Sequence, residues 1–149
     1  MKENEFNTII KNSLSPFAYK ISDVGGGKQQ RRPFDGFGLH NGLEVKWEAK
    51  RLSDLKAFSI KELFEGSRKH QMQNFEMYFQ SSSNTLLWVP LLIDIPRKQR
   101  VYTFTYEYLR KAYKEGITSL LKKDLENIPF TSIKKKIINT FNPISVGTN

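Results

Sequence analysis

PFDGFGLHNGLEVKWEAK, running from Pro33 to Lys50, is two alternating segments on either side of Asn41-Gly42. Asn-Gly between alternating runs predicts a two-residue hairpin turn, because both central residues of a type I′ turn need positive φ. A loop of that length sets the register: His40 faces Leu43, and counting back along both strands places Asp35 opposite Glu48. Opposed side chains on an antiparallel ladder share a face with Cβ atoms about 4.5–5.5 Å apart, and like charges there are destabilising. Two acids so placed are a local cost that a divalent cation between them would remove. Alternation adds Glu44, Lys46 and Lys50 to the charged face and gives Leu43, Val45, Trp47 and Ala49 to the core face. Glu44-Val45-Lys46 is a second Glu-x-Lys frame, but the register pairs Glu44 with Leu39, with no acid opposite, and so favours Glu48 and Lys50.

Outward from the hairpin, Phe6, Ile9, Ile10 and Leu14 form one helical stripe over residues 2–14, ended by Ser15-Pro16. Phe17 to Val24 reads as a strand, followed by the loop Gly25-Gly26-Gly27 and the basic cluster Lys28, Arg31, Arg32. Downstream, residues 58–80 carry the stripe Met72, Phe75, Tyr78 and Phe79, with a break at Gly66-Ser67 and Ser67 as candidate N-cap of the longer piece. Thr85 to Ile95 is an apolar run of buried-strand type in which Pro90 predicts a bulge or an end. Arg97 to Arg100 forms a basic turn, Val101 to Phe104 a last strand, and Tyr106 to Tyr113 a helix. The tail from Gly116 to Phe141 holds two short helical patterns around Pro129, with Lys134-Lys135-Lys136 on a solvated face and phosphate contact as their second reading. This order predicts a single α/β domain over residues 1–149: one central mixed β-sheet flanked by helices, α-β-β-β-α-β-β-α.

Composition narrows the partner. Lys plus Arg number 24 against 15 Asp plus Glu, a net charge of +9 and a pI near 9.7, which favours a polyanion. With no cysteine and only His40 and His70, far apart in sequence, thiolate and imidazole metal sites are disfavoured, leaving a hard cation held by oxygens. No apolar run of about 18 residues and no signal-peptide pattern occurs, so an unexported, soluble, cytoplasmic protein with no membrane partner is expected.

Asp35, then Glu48-Ala49-Lys50 thirteen to fifteen residues on, resembles the signature of the PD-(D/E)xK nuclease superfamily. Within it the chain is most similar to Holliday-junction resolvases of the RecU type and their archaeal and phage relatives. They share the Asp-to-Glu separation, the Glu-Ala-Lys triplet, and a Phe-rich segment leading to His-Gln, here Phe58-Ser59-Ile60 and His70-Gln71. The resemblance covers about residues 5 to 80 and extends loosely to 85–95. The chain departs from the pattern in a longer Phe58-to-His70 connection and a shorter loop before Asp35, and the departures bear on junction specificity. The resemblance implies a restriction-endonuclease-like core, Mg²⁺ with Mn²⁺ as substitute, a homodimer acting on branched DNA, and a prokaryotic or phage setting at the nucleoid. It also implies roles: Asp35, Glu48 and the backbone carbonyl of Ala49 as metal ligands, Glu5 as the helical glutamate completing them, and Gln71 positioning Lys50 or a water.

Chemistry supports the same assignment. Phosphodiester hydrolysis needs an ionised water and positive charge on the phosphoryl oxygens, and Lys50 offers a compact, mobile ammonium two residues after Glu48. Lys28, Arg31, Arg32 and Arg51 supply phosphate contacts, with His70 as a further DNA-facing candidate. Each position has a plainer reading as well. Glu5 is a first-turn acid on a helix dipole, Gln71 a core amide, His70 a packing residue, and the Glu/Lys alternation a solvated face. Competing functions are a site-specific duplex endonuclease of restriction or homing type, a basic architectural DNA-binding protein without turnover, and a membrane-surface binder. The last lacks a basic amphipathic helix with exposed bulky apolar residues.

Overall fold

The computed structural model describes residues 1–21, 32–81 and 84–147; the Gly25–Gly27 run, Lys28 and Arg31 lie outside the described residues. Before the hairpin come α1 (Glu3–Leu14) and β1 (Tyr19–Lys20); the hairpin itself is β2 (Gly36–His40) and β3 (Leu43–Trp47), continued by β4 (Lys50–Leu52). Next are β5 (Phe58–Ser59), α2 (Ile60–Glu65), α3 (Lys69–Gln80), β6 (Leu86–Ile93), β7 (Arg100–Thr105) and α4 (Tyr106–Lys114). The chain closes with β8 (Ser119–Leu120), α5 (Lys122–Glu126), β9 (Thr131–Lys134), β10 (Ile137–Ile138) and β11 (Pro143–Ile144).

The main sheet runs β1-β2-β3-β6-β7-β9-β10, with β4 sharing the β6 edge below β3 and β11 parallel to β7. It is mixed: β3 and β4 lie parallel to β6, while β2 against β3 and β6 against β7 are antiparallel. β6 is buried on both faces, which is why its sequence is continuously apolar. Trp88 and Leu92 pack with Val45, Trp47 and Ala49 against the α1 stripe Phe6, Ile9, Ile10 and Leu14. Leu87, Val89, Leu91 and Ile93 pack on the other face under Ile60, Met72, Phe75 and Leu109 of α2, α3 and α4. Glu76 of α3 accepts hydrogen bonds from Tyr106 Oη at 2.6 Å and Arg110 Nε at 2.8 Å, which pins α3 to α4. Among the described residues no helix is long and apolar enough to cross a membrane.

The hairpin register is the one the turn dictates: Asn41 and Gly42 have φ of 50° and 80°, and the rungs run from Gly36↔Trp47 to His40↔Leu43. Glu44 faces Leu39, as the sequence requires. At Gly36 the strands approach so closely that an added Cβ would lie 2.3 Å from Trp47 Cζ2 and 2.7 Å from the Tyr19 carbonyl oxygen. A backbone oxygen cannot step aside as a flexible side chain can. Gly36→Ala is therefore expected to reach or exceed the upper end of the overpacking range, about 3 kcal/mol, and to lower the midpoint of thermal unfolding by about 6 °C or more.

Several expectations change. Pro90 neither bulges nor ends its strand: β6 passes straight through it. The cost falls on the neighbour. Glu48 N–H donates to the Trp88 carbonyl at 3.0 Å, and the register is unchanged from Trp47↔Trp88 to Lys50↔Leu91. Residue 90 faces the same edge as residue 88, so its missing N–H falls where the Glu48 carbonyl would have met a strand donor. The strand accordingly breaks between β3 and β4 at Glu48-Ala49.

The tail is not helical through Ile133–Ile138. β9 and β10 form a hairpin whose two-residue turn is Lys135-Lys136, with φ of 52° and 61°. Without Asn or Gly the turn carried no local signal, and pairing of β9 with β7 overrides the helical spacing of the isoleucines. β1 covers only Tyr19 and Lys20 of the expected strand within the described residues. The helix break at Gly66-Ser67 is present, but Arg68 stands at the α3 N-cap without a side-chain bond. Leu43, next to the turn, is 43% exposed and is no part of the core.

Candidate metal centre

Asp35 sits where regular pairing stops. Its carbonyl accepts from Ile21 N on the β1 side at 2.9 Å, whereas its N–H donates to the Trp47 carbonyl on the β3 side at 2.9 Å. A regular strand residue sends both groups to one edge, so the chain bends at Asp35. The bend turns the side chain onto the break in the next strand, where Ala49 N–H donates to Asp35 Oδ2 at 2.8 Å. Two interruptions, one at Asp35 and one forced by Pro90, thus face each other across β2 and β3.

Asp35 and Glu48 are both buried, at 1% and 2% exposure, and a protonated Glu48 can donate a hydrogen bond to the Asp35 carboxylate. Burial first, then the charge of Asp35 and that hydrogen bond, push Glu48 up to about 9. Lys50 opposes this shift and Glu3 adds to it. Glu3 is itself raised, by burial and then by Asp35. One carboxylate oxygen from each of Glu3, Asp35 and Glu48 lies within 4.8 Å of the other two. Glu48 Oε2 is buried without a hydrogen-bond partner, and Asp35 Oδ1 makes no hydrogen bond although Arg32 Nη2 lies 3.0 Å away. Three carboxylates, two carrying buried oxygens with lone pairs to spare, fit a hard divalent cation such as Mg²⁺ or Mn²⁺.

The helical acid at this centre is Glu3. Glu5 is exposed and is not one of the three clustered acids. Helix phase explains the exchange: residues two apart are separated by about 200° around an α-helix, while Glu3 lies one turn before Asn7 and two before Ile10, on the buried stripe. Asn7 Oδ1 accepts from Trp47 Nε1 at 2.9 Å in the core, a bond that sets the rotation of α1 on the sheet. Stepping back along the stripe from Ile10 and Asn7 would have found Glu3 in the sequence.

Lys50 Nζ donates to Gln71 Oε1, so the β4 lysine and the α3 glutamine are brought together. Gln71 is half-buried at the sheet-facing side of α3 and lines, with Lys50, Arg51, Ser59, Glu62 and Arg68, a cleft of about 310 Å³ beside the acids. Ala49 is fully buried, and its N–H is what holds Asp35. Arg32 is directed at Asp35 and donates to the Ile21 carbonyl at 3.4 Å. Arg51 turns away to Asp94, at 3.1 Å from Nη2 and 3.2 Å from Nε. His70 is half-buried beside Gln71 on α3. In the competing frame Glu44 is exposed and ion-paired with Lys46, whose ammonium lies over the Tyr78 ring at 4.9 Å; among the described residues no acid cluster includes Glu44. No protein-family model matches the chain, and no curated protein matches it.

Proposed function

We propose that the chain is a metal-dependent DNA endonuclease on a restriction-endonuclease-like core, acting as a homodimer on four-way junctions. The observation that carries this reading is the buried Asp35–Glu48 pair completed by Glu3, with Lys50 two residues beyond Glu48 and held by Gln71. Glu3, Asp35 and Glu48 would hold Mg²⁺, which when bound acidifies a coordinated water and neutralises phosphoryl oxygens. The chain's own residues do the rest. Gln71 keeps the Lys50 ammonium in place, and Lys50 orients the attacking water and meets charge developing on the phosphate. Arg32 neutralises Asp35 in the metal-free protein and is available to a phosphate once Asp35 turns to the cation. The preference for junctions rests on the sequence resemblance of about residues 5 to 80.

Incubating the protein with an immobile four-way junction and with the matching linear duplex, with and without Mg²⁺, tests the assignment. Symmetric Mg²⁺-dependent nicks in the junction support it. Equal cutting of the duplex moves the reading to a site-specific endonuclease, and binding without any Mg²⁺-dependent product moves it to an architectural protein. The helix acid has its own test. Glu3→Gln should raise the Mg²⁺ concentration needed for half-maximal cleavage by about tenfold, about 1.4 kcal/mol, whereas Glu5→Gln should leave the Mg²⁺ titration unchanged.

A further inference from the structure

We infer that the β9–β10 turn and the β6–β7 turn together form a second phosphate-binding surface, which grips a nucleic-acid duplex away from the acid centre. The inference rests on the DNA-directed reading above only for the kind of polyanion. Lys134, Lys135 and Lys136 are all exposed at the β9–β10 tip, and Arg97 and Lys98 are exposed on the neighbouring turn. Arg100 is paired with Ser132, so the two turns leave the sheet at the same end on adjacent strands. None of these five side chains has an ion-pair partner among the described residues. The nearby acid, Asp94, is engaged by Arg51 and by Gln99.

Backbone conformation gives a second, independent observation. Lys135, Lys136 and Arg97 have φ of 52°, 61° and 65°, in the left-handed region that costs a residue with a side chain. The same chain uses Asn-Gly for the same kind of turn at residues 41–42. At the β9–β10 tip it places lysine at both positions where the hairpin turn imposes positive φ, and strain kept in this way is found at functional surfaces. The short two-residue loop concentrates three lysines at one tip, which suits a densely charged array of phosphates. A bilayer is the poorer match, because the apolar neighbours Ile133, Ile137 and Ile138 are half-buried or buried and cannot insert.

The surface lies at the end of the sheet toward which β4 runs from the acid centre. From Lys50 to the tip is three strand spacings and roughly four residues along the strands, about 20 Å in all.

The double substitution Lys135→Asn with Lys136→Gly tests this without risk to the fold, since it installs the favoured type I′ pair. The thermal midpoint should rise by about 3–6 °C as strain is relieved. Affinity for a 25-base-pair duplex, measured in EDTA, should fall at least about fivefold, and the slope of log K against log salt should shrink by about 2. Arg97→Ala with Lys98→Ala should weaken binding further in the same direction. Unchanged duplex affinity and salt slope in a stabilised variant would overturn the inference. So would loss of binding to phosphatidylserine vesicles with duplex binding intact. Because the readout is binding without metal, it is independent of cleavage: a protein that never cuts but loses affinity on these changes keeps this surface and loses only the nuclease assignment.

Discussion

Asp35→Asn should reduce Mg²⁺-dependent cleavage by about three orders of magnitude while duplex binding in EDTA stays within about twofold. The metal is worth several kcal/mol to a phosphoryl transition state, and each 1.36 kcal/mol is a factor of ten in rate. Asparagine keeps the size of the side chain and an oxygen able to accept from Ala49 N–H, the 2.8 Å bond that secures the bend before β2. What it removes is a negative ligand oxygen, and with it the charge that pairs with Arg32. The fold should persist. Full cleavage by the variant would remove Asp35 from the chemistry and with it the assignment. Loss of cleavage accompanied by a collapsed melting temperature would instead make Asp35 a structural residue.

A second large effect is expected in the pH dependence of stability. In the fold Glu48 keeps its proton up to about 9, chiefly because it is buried and then because Asp35 is beside it, whereas its ordinary value is 4.5. Between those values the folded protein holds a proton that the unfolded chain releases, so raising the pH destabilises the metal-free fold across that window. Glu3, also raised, acts in the same direction. A cation reverses the balance by taking the deprotonated carboxylates as ligands, and its affinity should grow with pH. At a Mg²⁺ concentration a hundredfold above its dissociation constant the gain is about 2.7 kcal/mol, or about 5–10 °C at about 2–4 °C per kcal/mol. Melting curves from pH 5 to 9, with EDTA and with Mg²⁺, should diverge as the pH rises. Glu48→Gln should flatten the EDTA curve, raise the midpoint at pH 8, and abolish the gain from Mg²⁺. Parallel curves for the parent protein would show that the acids do not form a cation site.

Some of this centre is legible in a few residues. Asn41-Gly42 specifies a turn, the turn specifies a register, and the register brings Asp35 to Glu48; each step involves neighbours along the chain or directly across a ladder. The apolar run of β6 and the stripe of α1 are legible for the same reason, since period and composition report burial wherever the element lands. The β9–β10 hairpin is not, because its turn residues have no local preference for positive φ and are held there by pairing with β7 and by Ile138, which packs on α1 and donates to Ser13 Oγ at 2.8 Å. Glu5 is a misreading of another sort. An acid near a helix start can be read locally, but which acid faces the sheet depends on how the helix is rotated.

What the sequence by itself determined is therefore the hairpin, its register, the acid pair with its following lysine, and the alternation of charged and core faces. Tertiary structure decided the remainder of the site. The bond from Trp47 to Asn7 rotates α1 so that Glu3 is the third acid, and the docking of α3 on α4 brings Gln71 to Lys50. Pro90 opens the neighbouring strand at Glu48-Ala49 through a donor it does not have. Hydrogen-bonded turns and period-two alternation are set within a few residues, so they can be read along the chain. Helix rotation, and the partner a missing N–H fails to serve, are set by packing between elements distant in sequence and emerge only when the layers close.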